Sequence, residues 1–382
     1  MSILKGLAET SILERVVTTL AGGSGRRAVP DFLKGRVRSI WFRETIRLLV
    51  TRLGNDHWSD RIWLWSELGF DEAVARRHAG KHRGVYGMEH SSLETFKRQK
   101  EAGGLCALRQ VMAHARTVVD VHEHLGREFP EWNLSPRGRL FRGDIERSLR
   151  RKEEEYRLAD LIVVNSDFAK ETFTQAGVDG RKIFSIPTGC PAVSESKNGQ
   201  KSPGTNRPLI FIYVGALSLR KGVPYLLKAW RAIKPGKSAE LWLVGGDELP
   251  ARFFEEKLEG VKRMGRLSGP SLEKIYRQAD VLVLPTLLEG FAHVIVEALA
   301  FGLAVITTKE SGSGPLVIPG QNGFIVEAGN AEALAQAMEA CLKDPARARE
   351  MGRASREIAR GWTVDDSNKA HLAVIKNWLG VP

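Results

Sequence analysis

From residue 209 to about 344, short apolar runs alternate with stretches in which apolar positions return every three or four residues. "LIFIYVG", "AELWLVGG", "DVLVLPT", "LAVITT" and "GFIVEAG" read as strands, and "VPYLLKAWRAI", "SLEKIYRQA" and "AEALAQAMEACLKD" read as the helices between them. Runs this continuously apolar belong to strands buried on both faces, so the pattern predicts a parallel sheet with helices on either side. Such a sheet binds ligands beyond the carboxyl ends of its strands.

The first half alternates less regularly. Strands are predicted at "VVTTL", "RGVYGM", "GLCALRQVMA", "DLIVVNS" and "KIFSIP", with helices at "SLETFKRQKEAG", "VVDVHEHLGREF", "GDIERSLRRKEEEYRLA" and "FAKETFTQAG". The chain opens on helical spacing in "SILKGLAETSILERV", so the first domain is expected to lack its opening strand. The Ser-, Pro- and Lys-rich "CPAVSESKNGQKSPGTNRP" reads as a linker or exposed insertion. The predicted organisation is two Rossmann-like domains, 1–189 and 190–362, facing a central cleft, with 363–382 packing back on the first.

Composition narrows the classes. No run of about 18 apolar residues occurs, and charges interrupt the apolar positions at the N-terminus, which does not read as a signal peptide. Three scattered cysteines, Cys106, Cys190 and Cys341, suggest reduced thiols and a cytoplasmic location. The net charge is +12, and residues 1–110 hold 19 Lys+Arg against 12 Asp+Glu. Much of that surplus lies at 26–54, where Arg36, Arg38, Arg43, Arg47 and Arg52 alternate with Ile40, Trp41, Ile46 and Leu49. A helix of this composition either packs its apolar stripe on its own domain or meets an anionic membrane surface, which would make the protein peripheral there. Charge alone does not argue for nucleic acid.

The chemistry concentrates in "LLEGFAHVIVEALAFG". Glu289 falls in the loop after a strand, and Gly290 allows close approach of a ligand to the backbone. Phe291 and Ala292 lead into a helix whose free N–H groups suit phosphate. Glu297 sits among Ile295, Val296, Ala298 and Leu299, where an ionised carboxylate needs partners. A ribose diol offers two hydroxyl donors. Arg220 and Lys221 in "LSLRKG" follow the strand ending at Gly215 and are placed to neutralise a diphosphate. On the other side of the cleft, His114 follows a strand and His122 and His90 are weaker candidates. Glu123 and Glu128 stand near His122 and His124 without the spacing of a zinc site.

"EGFAHVIVE" is the E-x7-E spacing, and with "VGALSLRKGVPYLLKAW", "SGPLVIPGQNGFIVEAGNAEALAQAM" and "KIFSIPTGC" it resembles retaining glycosyltransferases of family 4, which have the GT-B fold. The resemblance covers 160–362 well and the first 110 residues loosely. It implies transfer of a hexosyl group from a nucleotide-diphosphate sugar to a glycan, lipid-linked or small-molecule acceptor, as in polysaccharide or glycoconjugate biosynthesis. No metal or other cofactor is implied. Glu297 would hold the ribose and Glu289 would lie beside the donor sugar. Phe291 and Ala292 would approach sugar and diphosphate, Arg220 and Lys221 would hold the diphosphate, Gly265 would meet the base and His114 the transferred sugar. Ala292 stands where many members have glycine, and Ala216 where many have arginine. The alternative is a donor-binding but inactive relative that acts as a partner or regulatory subunit, an idea prompted by the missing opening strand. Sugar-nucleotide epimerisation is a further rival.

Overall fold

The computed structural model describes residues 2–20, 28–52, 56–131, 145–193 and 207–381. Most of the predicted linker, the glycine-rich 21–27 and the end of the basic 26–54 segment lie outside these residues.

In the second domain, β7 (Leu209–Val214), β8 (Ala239–Val244), β9 (Val261–Gly265), β10 (Val281–Leu284), β11 (Ala304–Thr308) and β12 (Gly323–Val326) form one parallel sheet. Its order is β12-β11-β10-β7-β8-β9, so the chain starts in the middle and reverses direction at β7 and β10. β10 and β11 are buried at every position, because α8 (Val223–Ile233), α10 (His293–Phe301), α11 (Ala331–Lys343) and α12 (Pro345–Gly361) pack around the sheet. The crevice beside β7 and β10 is the switch point, where a ligand site is expected. The edge strand β9 is an addition to the predicted set. Its Lys262 and Arg263 are exposed, so it lacks the apolar run that reveals its neighbours.

The first domain holds a four-stranded parallel sheet, β3 (Gly84–Met88), β4 (Leu105–Arg109), β5 (Leu161–Val164) and β6 (Ile183–Ser185), in chain order. Alternate side chains divide between two faces. Cys106, Leu108, Ile162 and Val164 meet Phe96 of α4 (Leu93–Glu101), Leu149 and Tyr156 of α6 (Ile145–Leu158), and Phe173 of α7 (Asp167–Gln175). Ala107, Leu161 and Val163 meet Ala370, Val374 and Trp378 of the last helix, α13 (Val364–Leu379). The chain crosses to this helix at a bridge between Cys190 and Thr363, and the Thr363–Asp366 capping box starts it.

Among the described residues, no member of the four-stranded sheet precedes Gly84. The early strand "VVTTL" is realised as β1 (Val16–Thr18), which pairs in parallel with β2 (Val37–Ser39) in a separate two-stranded sheet. The opening helix α1 (Ser2–Glu9) lies on α13, with Leu372 against Gly6. The basic segment is not one helix. Arg36 and Arg38 precede α2 (Phe42–Arg52), and Arg36 donates to the Leu13 carbonyl at 2.7 Å. α2 is followed by α3 (Asp56–Arg77). On α2, Arg47 grips Glu44 at 2.6 and 2.7 Å and Arg43 lies 4.7 Å from the centre of the Trp65 ring, while Phe42 and Leu49, with Trp41 just before the helix, are exposed. No helix among the described residues is long and apolar enough to cross a membrane.

Candidate active site

The carboxyl ends of β7 and β10 lie side by side because the strands pair in parallel, and beyond them Gly222, the residue before α8, adopts φ +74° and packs on Pro285, whose carbonyl would be 1.9 Å from any Cβ there. Only glycine fits that approach. It sets Arg220 and Lys221 against the loop after β10. Arg220 Nη1 donates to Glu289 Oε1 at 2.5 Å and to the Leu288 carbonyl at 2.7 Å, and Lys221 Nζ joins the same Glu289 oxygen. Glu289 is only 8% exposed, and the two cations that meet it, Arg220 and Lys221, are partly buried. The Glu289 and Ala292 N–H groups donate to the carbonyls of Glu310 and Ser311, which fixes the loop from behind. No side chain caps the N-terminus of α10.

Glu297, one turn into α10, is partly buried and points to α9 (Pro270–Gln278). There the Tyr276 hydroxyl donates to its Oε2 at 2.8 Å. Tyr276 is 1% exposed and its ring lies flat on Phe301, 5.2 Å between centres with 6° between planes. Burial, then the Glu297 charge, pushes the phenol far up, so it stays protonated and donates. Nothing in the apolar periodicity of "SLEKIYRQA" marks this tyrosine as more than a core residue. The pair joins two helices and becomes visible only in the fold.

Gly215, at the end of β7, lies with φ +153°, and Gly265, at the end of β9, has φ +66° with nothing within 4 Å of a Cβ position. Phe291 and Ala292 are buried. The site of a Gly290 Cβ would lie 1.8 Å from the Val111 carbonyl and 2.8 Å from Met112 Cα. The missing side chain therefore admits the first domain's backbone on that face, where close approach of a ligand was expected. Ser166, which caps α7, donates its hydroxyl to the Gly290 carbonyl at 2.6 Å. The loop after β10 is thus held against the strand ends of the first domain.

His114 is brought near this junction but not into it. β4 ends at Arg109, earlier than the run "GLCALRQVMA" suggests, because Gln110 turns its amide to Glu89 at 2.8 Å and to the Ala113 carbonyl at 3.3 Å. His114 then caps α5 (Ala115–Glu128), accepting from Arg116 N at 3.3 Å, with its ring buried against Tyr156 and Phe173. Burial lowers its pKa, leaving a neutral ring. His122 is exposed and bonded to the Val118 carbonyl of its own helix. Among the described residues no cluster of three or more His, Cys, Asp or Glu could hold a metal.

His90, at the end of β3, is more elaborately built. It has φ +70°, rare and costly for a residue with a side chain. Its N–H donates to buried Glu155 at 2.6 Å, its carbonyl accepts from Arg151 at 2.8 Å, and its ring meets Glu67 at 2.9 Å and stacks on Trp63. Trp63 and Glu67, with Glu44, Arg47, Ser66, Ser91 and the end of β1, line a cavity of about 330 Å³. No simple motif announces it, since its walls come from β1, α2, α3 and the β3 exit.

Residues 195–358 match the family described as glycosyl transferases group 1. A D-inositol 3-phosphate glycosyltransferase of Pseudarthrobacter chlorophenolicus is 29% identical over 245 residues, 58% of each chain. The capsular polysaccharide biosynthesis glycosyltransferase CapM of Staphylococcus aureus is 31% identical over 147 residues, 36% of this chain and 38% of CapM. The matched part is thus little more than half the length of the first relative, and less of the second. Among solved structures, sucrose-phosphate synthase from Thermosynechococcus elongatus superposes with a TM-score of 0.63 at 19% identity, covering 99% of this chain and 92% of the other. Anabaena Alr3699/HepE in complex with UDP gives 0.59 at 20% identity, covering 81% and 82%. The chain has the two-domain α/β architecture of GT-B glycosyltransferases, and its second domain carries the match to glycosyl transferases group 1.

Proposed function

We propose that this chain is a retaining glycosyltransferase of the family 4 type that moves a sugar from a nucleotide-diphosphate sugar to a hydroxyl-bearing glycan, lipid-linked or small-molecule acceptor. The observation that carries the reading is the placement of Arg220, Lys221 and Glu289 together at the switch point of the second sheet, in the loop that leads into the helix bearing Glu297. The UDP complexes of Anabaena HepE, a protein of similar fold, support a nucleotide-sugar donor.

In this reading the diphosphate lies across Arg220, Lys221 and the uncapped N-terminus of α10, and the ribose hydroxyls donate to Glu297. Glu289 sits beside the sugar and accepts from its hydroxyls. As the bond between the anomeric carbon and the phosphate oxygen breaks, negative charge grows on the leaving phosphate. Fixed cations in a partly buried site stabilise that charge more than they stabilise the ground state. The same phosphate oxygen takes the acceptor's proton on the face it leaves, which preserves configuration without a covalent sugar-enzyme bond. The chemistry needs no metal. Gly265 offers backbone to the base, and His114 shapes the loop that meets Gly290. The acceptor occupies the first domain, where the Trp63 cavity is large enough for a sugar ring and lined with groups that bind hydroxyls. Exposed Trp41, Phe42 and Leu49 with neighbouring arginines would meet an anionic membrane, the setting of a lipid-linked acceptor in surface-polysaccharide assembly.

The test is product stereochemistry. UDP-, GDP- and ADP-sugars would be supplied with a membrane extract as acceptor, and released nucleotide diphosphate and the product's anomeric proton signal measured. The expected result is release from one donor class, an anomeric configuration equal to the donor's, and loss of release in Lys221→Ala. An inverted product contradicts retention. Donor turnover that proceeds without any acceptor, leaving an isomerised sugar, contradicts transfer.

A further inference from the structure

We propose that Tyr276 is a positioning residue for nucleotide recognition: its hydroxyl fixes the Glu297 carboxylate so that Oε1 and the second lone pair of Oε2 face the ribose. The inference rests on the donor-site reading above. Its basis is a two-part brace. The Tyr276 hydroxyl reaches Oε2 of Glu297 at 2.8 Å, and the Tyr276 ring lies flat on Phe301. Phe301 is four residues after Glu297, hence on the same face of α10 one turn along. The aromatic contact therefore sets where the phenol oxygen stands, and that oxygen sets how the carboxylate turns.

The chemistry of the donor matters. A buried phenol that stays protonated has one hydrogen to give, and the Glu297 oxygen is where it goes. Oε2 of Glu297 therefore accepts from Tyr276, and Oε1 is left to meet the ribose hydroxyls. An unbraced glutamate on a helix has several rotamers to choose from, and binding would have to select one of them. Holding the rotamer beforehand removes that ordering cost from the binding step. Tyr276 also comes from α9, whereas Glu297 comes from α10, so the pair locks the carboxylate to the frame of the sheet. Tyr276 itself is too buried to touch a ligand, which separates its role from that of Glu297.

Tyr276→Phe keeps the ring stack and removes the hydroxyl, so the fold should persist, and a thermal melt checks this directly. Calorimetric titration with UDP, GDP and ADP identifies the nucleotide that wild-type protein binds. The expected affinity of Tyr276→Phe for that nucleotide is up to about tenfold weaker, the size expected when binding must itself order one free side chain. Three further readouts distinguish positioning from general support. Donor KM should rise while kcat stays within about twofold. The substitution should have no added effect in a Glu297→Ala background, and none on the 2′,3′-dideoxy form of the nucleotide. Undiminished nucleotide affinity in a folded Tyr276→Phe protein would overturn the inference alone. So would an equal loss in the Glu297→Ala background. Wild-type protein that binds no nucleotide would overturn the donor reading and the inference with it.

Discussion

At the scale of single residues, Glu289 holds one negative charge between Arg220 and Lys221 while almost shielded from water. Two cations and one anion leave a net positive charge, and in a low-dielectric setting a bound diphosphate gains from it. In the proposed donor site, Glu289 is the counterion that a bound diphosphate would compete with for Arg220 and Lys221. Replacing it with glutamine leaves both cations without their counterion. Glu289→Gln should bind free nucleotide diphosphate several-fold more tightly than wild type and lose at least about a hundredfold in transfer, since the sugar hydroxyls then meet a neutral amide with one acceptor oxygen in place of a charged carboxylate with two. Titration and rate measurement on one preparation check both halves. Weaker nucleotide binding in this variant would contradict that competition. This triad was half legible. The residue types and their positions after strands could be read from "LSLRKG" and "LLEGFA", but their mutual pairing spans 69 positions of chain and needs the fold.

At the scale of elements, the last helix completes the first domain. α13 covers the sheet face formed by Ala107, Leu161 and Val163, and His371 in its middle bonds Tyr86 at 2.6 Å. Burial, aided by the nearby Arg109 charge, depresses the His371 pKa to about 3. The folded ring is neutral, while an unfolded histidine takes a proton near pH 6.5. The unfolded state therefore binds more protons in the window between those values, so stability rises with pH there and is lost as pH falls from about 6.5 toward 3. The slope from this one group is at most about 1.4 kcal/mol per pH unit. Denaturant midpoints measured between pH 4 and 7 should show it, and His371→Phe should flatten it. An unchanged slope in that variant would place the acid sensitivity in other groups.

Element legibility follows burial. β7, β8, β10 and β11 announce themselves because both faces are covered and nearly every position is apolar. β9 escapes because one edge is wet, and β2 because its three residues include exposed Arg38. α3 escapes for the opposite reason: its tryptophans and charges are spread around the helix without a single apolar stripe.

At the scale of the whole molecule, the two domains meet at the strand-end loops and at a small apolar contact. Leu125 and Phe129 pack on Tyr225 and Leu287, and Tyr225 donates its hydroxyl to Glu128. Lys309 pairs with Glu171 at 2.6 Å on the exposed rim. These contacts differ in weight. A rim ion pair contributes little, whereas truncating a buried aromatic costs several kcal/mol. Lys309→Ala should change stability by less than about 1 kcal/mol and Phe129→Ala by about 3 kcal/mol in urea denaturation. The reverse ranking would mean that charge, not packing, holds the cleft closed.

On the proposed reading, this cleft holds a nucleotide through Glu297 and the Arg220–Lys221 pair. The most direct test is calorimetric titration of UDP, GDP and ADP into the intact chain and into Glu297→Ala. One nucleotide should bind the wild type, and Glu297→Ala, still folded, should lose most of that affinity. Binding of none of the three to folded wild-type protein would contradict the reading, as would equal binding by the two proteins.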